Sequence, residues 1–399
     1  MKQTLIWLGA LVLGALLGLT DIPLREPAVN FVASVFTRLF QLLAVPTIVL
    51  AIVTTLSSIG NEKRSGRIFR HTISYTLLTT FAAAAVGLLL YVLIAPDGMT
   101  VSQLSGSANN FVKGEETSYS DHLLSVIPNN SVRPLLEGNV LSLLILAIAA
   151  GMGLSRLPES EGKKTVIKFF TGLQELIFLL IRWLVKILPV GIVAFAAQLS
   201  AELSAGVAVE SLGKYVIVVL GGNAIQFFII LPLFLLARGL NPIHVLSRMM
   251  PAVMMALFTK SSAATLPVTM DSAENRLGVR KEVARFVLPI CTTINMNGCA
   301  AFILVTSLFV MQSGGWHLTL PLMLLWLCIS VITAVGNAGV PMGCYFITFS
   351  LMAGIGAPVA VLGAILPIYT IIDMIETAEN VWSDSCVCAM TNHDTAPKE

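Results

Sequence analysis

The chain of 399 residues is 56% hydrophobic and 12% charged, with a formal net charge of +2. Soluble domains carry roughly 25% charged residues, so this composition excludes an ordinary soluble protein, and so small a net charge gives no electrostatic footprint for nucleic acid. What remains is an all-α polytopic membrane protein, where lipid makes each internal polar group costly.

Residues 5–19 read as a first span. Thr20-Asp21-Ile22-Pro23 is not a small-x-small cleavage site, so the segment is expected to be retained. Residues 29–59 read as a second span. At about 1.5 Å per residue it exceeds the hydrocarbon thickness and should tilt, with Pro46 as a kink. Lys63, Arg64, Arg67 and Arg70 then mark a cytoplasmic loop, which puts the N-terminus in the cytoplasm too. The third span, 71–94, carries a hydroxyl cluster of Ser74, Thr76, Thr79 and Thr80, and 95–120 reads as a polar external loop. Residues 123–154 should begin as broken pieces around Pro128 and Pro134 before an apolar run. Arg156, Lys163, Lys164 and Lys168 return to the cytoplasm. The long span 169–199 is interrupted by Arg182, Lys186 and Pro189, as if packed against protein or a water-lined face. The span 215–236 carries Asn223 and Gln226, and Arg238 and Arg248 end it on the cytoplasmic side. The basic segments alternate in step with this count of spans.

The second half breaks the pattern. Residues 249–258 and 268–273 are apolar limbs too short to cross, and both flanks are basic. They enclose Ser261-Ser262-Ala263-Ala264-Thr265-Leu266-Pro267, which reads as the tip of a re-entrant hairpin from the cytoplasm. The span 286–310 is broken by Thr293-Ile294-Asn295-Met296-Asn297-Gly298. Residues 320–335 and 344–353 flank a Gly-rich stretch, 336–343, as a second hairpin from outside. The last span is 359–389, followed by a polar tail, Thr391 to Glu399, that is expected to be mobile. Hairpin plus broken span thus occurs twice from opposite sides, the pattern of inverted repeats in secondary transporters.

Asp373, Thr377, Asn380 and Asp384 recur at spacings of four, three and four, so a helix puts them on one face, with Glu376 beside it. Asp384 and Asn380, joined by Asn295, offer oxygen ligands to a hard cation; a solvated Asp384 at a helix end is the plainer reading. Asp373 calls for an ammonium group or for structural pairing with Lys260. The hairpin tips, Ser261 and Ser262 in one and Ala338-Gly339-Val340 in the other, offer backbone N–H groups to a substrate carboxylate. One acid for an ammonium and one helix end for a carboxylate describe a zwitterionic amino acid. An enzyme is not expected. The five histidines lie far in sequence from the serine cluster, and no Walker motif is present. The six cysteines read as small, free and buried.

These motifs together resemble the dicarboxylate/amino acid:cation symporter family, over nearly the whole chain. The resemblance implies eight transmembrane helices plus two re-entrant hairpins, a homotrimer in the cell inner membrane, and an elevator motion of a transport domain against a scaffold. By that resemblance residues 1–70 and 96–212 hold the scaffold helices (with the external loop in the latter), and 71–95 and 213–399 form the mobile part. It assigns Asp373 to the substrate amino group and Thr377 to the substrate site. Asn295, Asn380 and Asp384 go to one sodium site, with Asn380 also placed in the substrate site, and Thr79 and Thr80 go to another, shared with Asn297. Two departures matter. Members that carry acidic substrates have an arginine where this chain has Glu376, and an aspartate where it has Asn297. Glu376 is similar to bacterial serine/threonine transporters, so the expectation is sodium-coupled uptake of a small neutral amino acid, serine or threonine first. The change at Asn297 puts the second sodium site in question. Proton coupling through Glu376 or Asp373, a cationic amino acid substrate, and an ion channel are the rivals.

Overall fold

The computed structural model describes residues 2–20, 25–59, 66–99, 128–137, 140–204, 209–335, 337 and 341–396. Among them every regular element is helical. Backbone that spans lipid must satisfy its own hydrogen bonds, and a helix does so within one segment.

The first bundle contains α1 (Lys2–Gly18), α2 (Arg25–Ile59), the short α4 (Arg133–Glu137), α5 (Val140–Arg156) and α6 (Glu161–Ser204). Helices α1 and α6 approach closely through Gly14 and Gly18. A Cβ at Gly14 would meet Ala196 Cβ at 2.7 Å, and one at Gly18 would meet Ser200 Cβ at 2.8 Å. This is the small-x-x-x-small packing of membrane helices. Helix α6 bends by 53° between Leu184 and Lys186. Pro189 explains the bend, because its ring clashes with the carbonyl four residues earlier. Arg182 and Lys186 are exposed on this chain.

The second bundle begins with α3 (Gly66–Ile94) and resumes at α7 (Val209–Ile225). A π-helical turn, Gln226–Ile230, leads from α7 into α8 (Leu231–Leu236). Then come α9 (Pro242–Thr259) and α10 (Ser262–Asp271), α11 (Lys281–Ile294) and α12 (Asn297–Ser313), α13 (Leu320–Ala334), α14 (Gly343–Gly354) and α15 (Ala360–Asp394). Helix α12 is the centre: it packs on α3, α7, α13, α14 and α15, and it is buried from Asn297 to Met311. Helices α2 and α14 join the two bundles.

Five described stretches are long and apolar enough to cross a membrane, six with bent α6 taken as one span. One of them is α9, so its limb is not too short to cross, as its composition had suggested. The turn makes it a hairpin limb. Lys260 adopts a left-handed conformation at φ 55°, Ser261 caps the next helix, and α10 packs back on α9.

Two further expectations are corrected. The last span is unbroken over 35 residues. It has no glycine or proline after Pro367, and its polar groups are side chains, so nothing opens its backbone. Only the first hairpin is followed by a broken span. The polar tail is also folded as far as residue 396. Asp394 accepts a hydrogen bond from Tyr75, its carbonyl accepts from Arg67 at 2.8 Å, and Arg280 donates to Thr395 at 2.7 Å. The external loop read at 95–120 lies outside the described residues from 100 onward.

Candidate functional site

The break between α11 and α12 falls at Asn295 and Met296, with φ/ψ of −98°/69° and −108°/70°. It brings two asparagines and an open backbone against the middle of α15. Asn295 Nδ2 donates to Asp384 Oδ1 at 2.9 Å and to Ser383 Oγ at 2.9 Å. Asn297 Nδ2 donates to the same Ser383 Oγ at 2.8 Å. From α3, Thr79 Oγ1 donates to Asn295 Oδ1 at 3.1 Å and Thr80 Oγ1 to Asn297 Oδ1 at 2.9 Å. Gly298 N donates to Asn380 Oδ1 at 3.0 Å. A Cβ on Gly298 would meet Glu376 Cα at 2.9 Å and Asn223 Oδ1 at 3.1 Å, so only glycine lets the broken span lie this close to α15.

Asp384 is 2% exposed, which excludes the solvated reading, and α15 runs on to Asp394 beyond it. The set is dominated by oxygen, from one carboxylate, three hydroxyls and the amides. That chemistry suits a hard cation such as sodium.

About two to three turns before Asp384 on α15, Asp373, Glu376 and Thr377 are also buried. Tyr369 Oη donates to Glu376 Oε2 at 3.2 Å and reaches Asp373 Oδ1 at 3.5 Å. Met342 N, at the tip of the second hairpin, donates to Asp373 Oδ2 at 3.3 Å. Thr377 Oγ1 donates to the Asp373 carbonyl at 2.6 Å. Lys260 Nζ donates to the Thr370 carbonyl at 2.6 Å, one turn before Asp373. In the first hairpin, Ser261 Oγ accepts from Ala264 N at 3.2 Å, while Ser262 is 2% exposed. Some tip N–H groups are thus already engaged within the protein. Ala338, Gly339 and Val340 lie outside the described residues.

Sequence reasoning did not single out Ser383, Tyr369 or Met342. It also passed over Glu379, a carboxyl that is 1% exposed and has neither oxygen hydrogen-bonded among the described residues. The signal for Ser383 and Glu379 was present, since each lies next to a residue of the polar stripe. The cysteine reading needs correction. Cys299 and Cys344 are joined sulfur to sulfur, because the start of α14 lies on the first turn of α12, and Cys328 is exposed.

Around the site α15 buries four carboxylates, Asp373, Glu376, Glu379 and Asp384, and Lys260 is the ammonium buried near them. No arginine is buried among the described residues.

The profile described as the sodium:dicarboxylate symporter family matches residues 3–394. A rabbit (Oryctolagus cuniculus) protein named neutral amino acid transporter B(0) is 30% identical over 96% of this chain and 75% of its own length. The human protein of the same name is 29% identical over 94% of this chain and 74% of its own. A proton/sodium-glutamate symport protein of Bacillus subtilis is 27% identical over 95% of this chain and 89% of its own.

Proposed function

The chain belongs to the sodium:dicarboxylate symporter family, and from that premise we propose that it couples sodium entry to uptake of a small neutral amino acid, serine or threonine first. It is a multi-pass membrane transporter and not an enzyme. The observation that carries the substrate reading is the charge at the substrate position. Glu376 is buried beside Asp373, and no arginine is buried among the described residues. A dicarboxylate or glutamate would bring a second carboxylate without a guanidinium to hold it. The name of the rabbit relative supports the neutral class.

In this reading Asp373 holds the substrate ammonium and Thr377 lines its pocket. Ser261, Ser262 and the second hairpin tip, with Ala338, Gly339 and Val340, hold its carboxylate. Asp384, Asn295 and Asn380 serve one sodium ion, and Thr79, Thr80 and Asn297 a second, weaker one. The cations offset the interior carboxylates, so the loaded bundle carries less net charge when it moves. The mobile part is α3 and α7 to α15, sliding as an elevator on α1, α2, α5 and α6. The assembly is a trimer in the inner membrane with its N-terminus in the cytoplasm.

A cationic amino acid is the second reading. Glu376 Oε1 is buried without a hydrogen-bond partner among the described residues, which is where a second ammonium would sit.

The test is uptake of labelled serine into liposomes, under an inward sodium gradient against an equal potassium gradient. Unlabelled alanine, lysine and glutamate are the competitors. Sodium-dependent accumulation blocked by alanine and not by glutamate supports the proposal. Uptake driven by a pH gradient and indifferent to sodium rejects the ion assignment. Competition by lysine alone moves the substrate to the cationic class.

A further inference from the structure

The first turn of α12, the start of α14 and the middle of α15 meet at one point. Cys299 Sγ, Cys344 Sγ and a carboxylate oxygen of Glu376 all lie within 4.8 Å of one another. The three residues are 1%, 2% and 1% exposed. The cysteine Cα atoms are 5.4 Å apart. Amide donors face the sulfurs: Asn337 Nδ2 donates to Cys299 Sγ at 2.9 Å and to Cys344 Sγ at 3.1 Å, and Asn380 Nδ2 to Cys299 Sγ at 3.5 Å. Two acceptors at the same place have no hydrogen-bond partner among the described residues, Glu376 Oε1 and Asn337 Oδ1. The two sulfurs are bonded to each other here; after reduction the same amide N–H groups would hydrogen-bond the thiolates and orient them toward a metal.

We propose that, in the reduced protein, Cys299, Cys344 and Glu376 form a site for a thiophilic divalent cation, zinc being the natural candidate and cadmium its laboratory stand-in. Zinc binds thiolate at ~2.3 Å and carboxylate at ~2.0 Å, which puts its ligand atoms roughly 3.5–4 Å apart, within reach of this cluster. The two thiols each release a proton on binding, and Glu376 supplies its ionised oxygen. Water takes the fourth position. Sodium prefers oxygen to sulfur, so this site is chemically separate from the oxygen set around Asp384. The bound ion ties α12 and α15 to the second hairpin through α14. It would therefore hold that hairpin closed and arrest transport. This last consequence rests on the transport reading, while the binding does not.

The test uses full-length protein carrying Cys328→Ser, which removes the exposed thiol. It is reduced with a phosphine and titrated with Cd2+ in sodium buffer, and the ultraviolet thiolate-to-cadmium absorption is read. One Cd2+ per chain is expected, with the absorption of two thiolates. Cys299→Ser and Cys344→Ser should each remove at least half of it. Glu376→Gln should weaken cadmium binding about tenfold and leave the absorption per bound ion unchanged. In the chain with both cysteines intact, Cd2+ should also shield Cys299 and Cys344 from maleimide, which decides the matter if a serine variant fails to fold. Absorption that survives in both serine variants overturns the site. So does its absence in protein whose thiols label as free, or labelling of both cysteines that Cd2+ does not slow. Loss of uptake with Cd2+, restored by a chelator, is the expected functional counterpart. The absorption needs no substrate, so failure of the transport reading shows itself separately.

Discussion

Asn295 Nδ2 donates to Asp384 Oδ1 at 2.9 Å, joining the break in one span to the middle of another. Neither side chain reaches water: Asn295 is 0% and Asp384 2% exposed. A carboxylate buried this deeply needs a counter-charge beyond an amide donor. Asp384→Asn keeps the shape and removes the charge. The variant should fold and lose at least about tenfold in apparent sodium affinity, about 1.4 kcal/mol. Sodium-dependent protection against thermal unfolding checks this without a substrate. Unchanged protection would remove Asp384 from the sodium site.

Ser383 tests the same junction from the other side. Its Oγ accepts from both Asn295 and Asn297, at 2.9 and 2.8 Å. Ser383→Ala leaves two buried amide donors short of a partner. Each unsatisfied group costs ~1–3 kcal/mol, so the variant should unfold several degrees lower and bind sodium more weakly. A melting curve matching the parent chain would show that the bridge contributes nothing.

Asn297 decides how many ions travel. Thr80 Oγ1 donates to its Oδ1 at 2.9 Å, and the side chain is fully buried. Asn297→Asp adds a formal charge where hydroxyl oxygens already gather. We expect tighter sodium binding and a steeper dependence of uptake on sodium concentration. An unaltered Hill slope would argue against an ion at this position.

Glu376 decides the substrate. It accepts from Tyr369 Oη at 3.2 Å and lies one turn from Asp373. Glu376→Arg exchanges a carboxylate for a guanidinium that can grip a second substrate carboxylate in two places. Glutamate or aspartate should then compete for uptake, and serine should weaken by tenfold or more, about 1.4 kcal/mol. Competition assays against labelled serine and labelled aspartate read both changes. If Glu376→Arg still takes serine and ignores aspartate, Glu376 does not set specificity.

The sequence by itself determined the class of molecule and most of the element order. Long apolar runs with basic loops between them leave a helical membrane protein as the solution, because unpaired backbone is not tolerated in lipid. The helical spacing from Asp373 to Asp384 also placed one polar face correctly on one helix. Single-segment patterns carry no information on which helices meet, and there the reading failed. The last span looked broken because it is polar, yet side-chain polarity does not open a backbone that lacks glycine and proline. Ser383 stands beside the polar stripe, but its pairing with Asn295 was invisible because the two lie 88 residues apart. The same holds for Cys299 and Cys344, separated by 45 residues. Only packing around α12 set these pairs against each other. Close approach at Gly298 let the broken span touch α15, and that contact turned separate polar clusters into one buried site.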